Sequence, residues 1–126
     1  MPVRGIRGAT VVAENTRDSI LTATHELLLA LIDANDIHPD DVASAWFTTS
    51  PDLDADYPAL AARDLGWHYT ALLCAHEMAV PHGLPRCVRI LIHLNTEKPA
   101  RDIQHIYLGD AASLRPDRTL QPELEV

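Results

Sequence analysis

A chain of 126 residues with a net charge of −8 suits one domain, long enough to bury roughly two thirds of its unfolded surface. Twelve Asp and six Glu against nine Arg and one Lys leave no basic stripe of the kind a phosphate backbone requires, which argues against a nucleic-acid partner. No apolar run reaches the ~20 residues of a membrane span, and Cys74 and Cys87 lack the spacing of a disulfide framework, so a cytoplasmic protein with no membrane contact and reduced thiols is expected.

Val3 to Val12 alternates loosely as a first strand, and Gly5 and Gly8 within it predict a bend or bulge near Arg7. Thr16 is placed to cap a helix with Asp18 in its first turn. Ile20, Thr24, Leu27, Leu31 and Ala34 recur at helical spacing until Asn35 and Asp36 stop it. After the turn His38-Pro39-Asp40-Asp41, Val42 to Thr49 reads as a second strand ended by Ser50-Pro51. A two-turn helix is predicted from Asp56, with Pro58 near its first position, Arg63 projecting from it and Gly66 closing it.

Tyr69 to Cys74 is a third strand, Pro81 to Pro85 a broken loop, and Glu77 falls between them. Arg86 to Leu94 has the strictest alternation, placing Val88, Ile90, Ile92 and Leu94 on one face and Cys87, Arg89, Leu91 and His93 on the other. Asp102 to Leu108 is a last strand with Ile103, His105 and Tyr107 pointing one way, and residues from about 116 to 126 form a loosely held tail. About five strands, one long helix and one short helix, not in strict alternation, define an α+β protein. Its mixed sheet carries helices on one face, in a single domain over residues 1–126.

Arg7 and Arg89 sit inside stretches that otherwise read as buried strand. In so acidic a chain that placement points to an anionic ligand, and the preference for Arg over Lys favours the planar fork that grips carboxylates through two parallel hydrogen bonds. Position alone favours plainer roles. A strand arginine is more often one arm of a surface ion pair, Glu77 a solvated carboxylate, Tyr107 a core edge with its hydroxyl outward, and Cys74 and Cys87 small buried hydrophobes. Seven histidines, His76, His82, His93 and His105 among them, match no metal-ligand spacing, so no metal is expected.

The opening Val-Arg-Gly-Ile-Arg-Gly-Ala-Thr, Pro-Asp-Leu with Tyr-Pro-Ala downstream, the Glu77 segment, Cys-Val-Arg-Ile, and Ile-Tyr-Leu followed by Leu-Arg-Pro-Asp fall into one order. That order resembles the small, monofunctional chorismate mutases of the trimeric, β-rich class, from Val3 to about Asp117. The resemblance implies a homotrimer with a pseudo-barrel core and active sites between subunits. It also implies the Claisen rearrangement of chorismate to prephenate in aromatic amino-acid biosynthesis, without cofactor.

By the family pattern Arg89 donates to the ether oxygen and a carboxylate, while Arg7 and Tyr107 hold the side-chain carboxylate. Glu77 accepts from the ring hydroxyl, with Cys74 beside it. Arg63 and Arg115 close the cleft, Tyr57, Ala59 and Leu73 line its wall, and Leu114 belongs to the same substrate-binding set. Three departures touch the rim: Leu60 stands where relatives carry a lysine or another charged residue, Tyr57 replaces a phenylalanine, and the loop before Trp67 is one residue shorter than in some members. The competing reading is a non-catalytic, carboxylate-binding trimer or a small imine deaminase of similar fold.

Overall fold

In the computed structural model, which describes residues 1–114, the strand with the strictest alternation lies at the centre of the sheet. The strands are β1 (Val3–Val11), β2 (Val42–Thr49), β3 (Ala71–His76), β4 (Cys87–Asn95) and β5 (Ile106–Tyr107), in the spatial order β3-β2-β4-β1-β5. β4 runs antiparallel to both β1 and β2, while β3 is parallel to β2 and β5 parallel to β1. The mixed sheet, with one long helix α1 (Arg17–Asn35) and one short helix α2 (Leu60–Asp64), is the expected α+β arrangement.

Burial follows the alternation of β4. Val88, Ile90, Ile92 and Leu94 are buried, while Arg89, Leu91 and His93 are half-buried. Ile90, Ile92 and Leu94 pack with Ile6, Ala45 and Phe47 from neighbouring strands beneath Leu27, Leu28 and Leu31 of α1 and the Ala61-Ala62 pair of α2, while Val88 packs with Val12, Ile20 and Leu53. Both helices therefore cover one face of the sheet. The other face keeps Trp46 42% and Leu73 52% exposed, side by side as register partners.

α1 starts as predicted. Thr16 is extended and its hydroxyl accepts the Ser19 amide at 3.2 Å, satisfying one of the first-turn donors. Ala34 is exposed, and Asn35 is buried in its place. The Asn35 amide donates to Leu31 O (3.0 Å) and Gln104 O (2.9 Å), and its oxygen accepts the Gln104 amide at 2.8 Å. A buried polar side chain with every group bonded is stable where a short apolar one was expected.

Several boundaries differ from the sequence reading, each for a local reason. α2 is a single turn and a half, because Pro58 and Ala59 lie in the turn that precedes it. Gly66, at φ 95°, then reverses the chain so that the Trp67 amide reaches Ala62 O at 3.1 Å. β3 begins at Ala71 rather than Tyr69, its register fixed by parallel pairing from Ser44↔Ala71 to Thr49↔His76. Arg86 adopts φ 47°, so β4 begins at Cys87. The last strand shrinks to Ile106–Tyr107: residues 100–102 form a 3-10 turn, and Gln104 bonds to Asn35 instead of a strand. Ile103 accordingly joins the helix-side core, and Tyr107 packs on the opposite face with Ala9, Cys87 and Ala111.

No bulge occurs near Arg7. β1 pairs with β4 from Val3↔Asn95 to Val11↔Cys87 without a slip, and the irregularity lies in β2 between Val42 and Ser44. Gly8 instead serves a close approach: a Cβ there would stand 2.9 Å from Leu31 Cδ1, 3.1 Å from Leu27 Cδ1 and 3.1 Å from Ile106 O. Since one of those neighbours is backbone, Gly8→Ala should destabilise the fold by about 1–3 kcal/mol, read as a lower urea midpoint with unchanged slope; wild-type stability would contradict this packing.

Candidate active site

Pairing across the sheet sets the site. Ala75 of β3, Thr48 of β2, Arg89 of β4, Ala9 of β1 and Tyr107 of β5 are successive register partners, so they form one transverse row on the face away from the helices. The adjacent row runs Leu73, Trp46, Leu91, Arg7. Arg7 and Arg89 thus lie one row and one strand apart. Ala9, between Arg89 and Tyr107, is buried and packs with Cys87 and Ala111.

Glu77 enters from the end of β3. Its amide donates to Thr49 O at 2.7 Å, which continues the parallel ladder by one residue. Its carboxylate accepts a hydrogen bond from the Thr48 hydroxyl, and Oε2 stands 3.9 Å from Arg89 Nε. At that separation the pair is an ion contact without a hydrogen bond, and a half-exposed contact of this kind contributes at most about 1 kcal/mol.

Among the described residues, Arg89 Nε is the one buried side-chain nitrogen or oxygen with no hydrogen-bond partner. Leaving such a donor unsatisfied costs about 1–3 kcal/mol, more when it is charged. Arg7, Trp46, Thr48, Glu77, Arg89, Ile90 and Leu91 surround a hollow of about 240 Å³. Its lining combines apolar Trp46, Ile90 and Leu91 with two arginines and one glutamate. That set suits a compact anion carrying a hydroxyl or a developing positive charge.

The other expected residues gather elsewhere in the protomer. Tyr57, Ala59, Leu60, Arg63, Leu72, Leu73 and Cys74 line a separate hollow of about 330 Å³ at the β3 edge. Cys74 pairs with Phe47 and packs against the helix-side core, so within the protomer it does not stand beside Glu77. Leu114 packs near Tyr107, Cys87 and Ala9, and Arg115 lies outside the described residues, as does the tail from 116. Burial pushes both thiols up from 9.0, offset at Cys74 by a hydrogen bond with the Ala59 backbone and at Cys87 by the Arg89 guanidinium.

Sequence reading missed Thr48, which fixes the Glu77 carboxylate, and Trp46, which walls the hollow. A hydroxyl on the open face directly opposite Arg89 was the available signal, but it depends on knowing the register. The histidines are spread out: His76 Nε2 meets Leu53 O at 3.1 Å, His93 Nδ1 meets Ser44 Oγ at 3.0 Å, and His105 Nδ1 accepts the Arg7 amide at 3.0 Å. Among the described residues no three His, Cys, Asp or Glu side chains are grouped to hold an ion, and no helix is long and apolar enough to cross a membrane.

The family described as chorismate mutase type I matches residues 3–118. The chain belongs to the type I chorismate mutase family. It is 41% identical over 127 aligned residues to the chorismate mutase AroH of Bacillus subtilis, covering all of both chains. It is 47% identical over 116 residues to the chorismate mutase AroH of Thermus thermophilus, covering 91% of this chain and 95% of that one. A solved chorismate mutase from Clostridium thermocellum superposes with a TM-score of 0.85 at 46% identity, over 86% of this chain and 97% of that chain. Its α+β fold and isomerase class are therefore those of a chorismate mutase.

In this chorismate mutase a second polar cluster anchors the start of β4, the strand that carries Arg89. The Asp52 carboxylate accepts from Ser50 Oγ and from the Arg86 amide at 3.0 Å, and Ser50 Oγ accepts the Cys87 amide at 2.9 Å. The Ser50 hydrogen bond, aided by the Arg86 amide and outweighing some desolvation, holds the Asp52 carboxyl below its ordinary value of 3.8. A depressed folded value means that the stabilisation is complete above the unfolded value and is lost as pH falls through the folded one. Asp52→Asn should therefore lower the unfolding free energy at neutral pH and converge with wild type only in acid below the ordinary carboxyl value; a gap that widened on acidification would refute the assignment.

Proposed function

We propose that the chain, as a cytoplasmic homotrimer, isomerises chorismate to prephenate at sites shared between neighbouring subunits, in aromatic amino-acid biosynthesis. The observation that carries this is the buried Arg89 Nε, without a hydrogen-bond partner among the described residues, beside Arg7 and Glu77 on the sheet face away from the two helices. Family membership and full-length similarity to two chorismate mutases support the reaction.

The rearrangement needs no proton, electron or metal. Its transition state is chair-like, with the breaking ether bond leaving negative charge on oxygen and positive character on the ring. Arg89 donates to that oxygen, Arg7 and Tyr107 hold the enolpyruvyl carboxylate, and Glu77 accepts from the ring hydroxyl and faces the positive end. Thr48 keeps the Glu77 carboxylate turned inward. A generic carboxylate clamp has no use for Glu77, which would weaken anion binding.

One preorganised donor is typically worth ~3–4 kcal/mol, whereas enzyme accelerations begin near ~8 kcal/mol. Arg89 therefore shares the work with conformer selection, in which Arg7 and Tyr107 hold the arm over the ring. The hollow around Arg89 is smaller than the ~300–1,000 Å³ usual for ligand pockets. The wall formed by Tyr57, Ala59, Arg63, Leu73 and Cys74 supplies the remainder when it comes from an adjacent subunit. The exposed Trp46 and Leu73 of the open face give the trimer an apolar surface to bury.

Purified protein should convert chorismate to prephenate with no additive and sediment as a trimer; no turnover at high protein concentration would refute the reading. Arg89→Lys keeps the charge but loses the fork, and should reduce kcat by about a hundredfold or more with unchanged thermal unfolding. Retained turnover in that variant would remove Arg89 from the mechanism.

A further inference from the structure

We propose that His105 is a positioning residue for Arg7, holding the strand that carries Arg7 and the strand that carries Tyr107 in one register; this rests on the chorismate reading above. The backbone amide of Arg7 donates to His105 Nδ1 at 3.0 Å. In a sheet the acceptor at that place is ordinarily a carbonyl of the adjacent strand. Here β5 pairs with β1 only through Gly8↔Ile106 and Ala9↔Tyr107, and the imidazole stands in for the next ladder position. Nδ1 therefore carries the lone pair and Nε2 the proton.

A two-residue strand is too short to hold itself in place. Three further contacts fix it, and His105 lies in their midst. Asn35 at the end of α1 brackets the Gln104 backbone by accepting its amide and donating to its carbonyl. Beyond the pair, the Leu108 amide donates to Ala9 O at 2.9 Å. Gly8 permits the approach, since a Cβ there would meet Ile106 O at 3.1 Å. Of these contacts on the β5 side, the His105 bond is the one made to Arg7 itself. Removing its acceptor leaves a half-buried strand amide unpaired and frees β1 to shift against β5 at the residue that grips the substrate, where displacements of about 1 Å are costly to rate.

The conservative variant His105→Asn keeps an acceptor at nearly the position of Nδ1, while His105→Leu removes it at similar volume. The full-length protein and both variants are compared by amide hydrogen exchange at Arg7, by thermal unfolding and by steady-state kinetics with chorismate. In His105→Leu the Arg7 amide should exchange faster and KM rise roughly tenfold with a smaller change in kcat, and His105→Asn should restore both. Unchanged exchange at Arg7 in His105→Leu would overturn the proposal, as would a loss of turnover fully accounted for by the fraction of protein unfolded in the thermal measurement. Should wild type fail to turn over chorismate, the functional reading falls, and exchange at Arg7 alone still decides whether His105 ties the strands.

Discussion

A guanidinium on the central strand of a sheet, with a buried nitrogen that no hydrogen bond satisfies among the described residues, is the constraint on which the rest of the structure turns. β4 is flanked on both sides by antiparallel neighbours, so Arg89 cannot be relocated without moving the core beneath it. The same alternation that buries Val88, Ile90 and Ile92 under the helices forces Arg89 to the opposite face. Glu77 approaches to 3.9 Å without closing a hydrogen bond on Nε. A fold that stabilised itself alone would close that bond; a site that binds an oxygen keeps it open, at a cost of order 1–3 kcal/mol in the empty state.

The sheet also works as a ruler. Strands stand about 4.8 Å apart, so the row from Thr48 through Arg89 and Ala9 to Tyr107 spaces hydroxyl, guanidinium and phenol at fixed intervals, with Arg7 set one row away. Three of the five strands reach this row with groups that can face a ligand, and Glu77 joins from the end of a fourth. Each is held by something local: Glu77 by Thr48, the start of β4 by Asp52 and Ser50, β5 by Asn35 and His105. Such preorganisation is what allows electrostatic catalysis to act without reorganisation at the moment of reaction.

Much of this was legible in the sequence where a residue's role depends on its own strand or helix. The faces of β4, the Thr16 cap, the Gly66 stop and the second strand follow from periodicity and local hydrogen-bonding chemistry. What was not legible depends on partners distant in sequence. Gly8 looks like a bulge signal until Leu27, Leu31 and Ile106 are seen against it. Asn35 looks like a helix stop until Gln104 is seen bonded to it, and that bond is also why the last strand is two residues long and not seven. The division of the expected site residues between separate hollows has the same origin: spacing along the chain cannot tell which residues the folded sheet brings together.

The most direct test is a crystal structure of the protein bound to a rigid bicyclic diacid that mimics the compact, chair-like transition state. The account predicts the Arg89 guanidinium in hydrogen-bond contact with the ether oxygen of the ligand, with Arg7 and Glu77 from the same subunit around it and Tyr57, Arg63 and Leu73 supplied by a neighbour. A ligand seated elsewhere, with Arg89 turned toward bulk solvent, would contradict it.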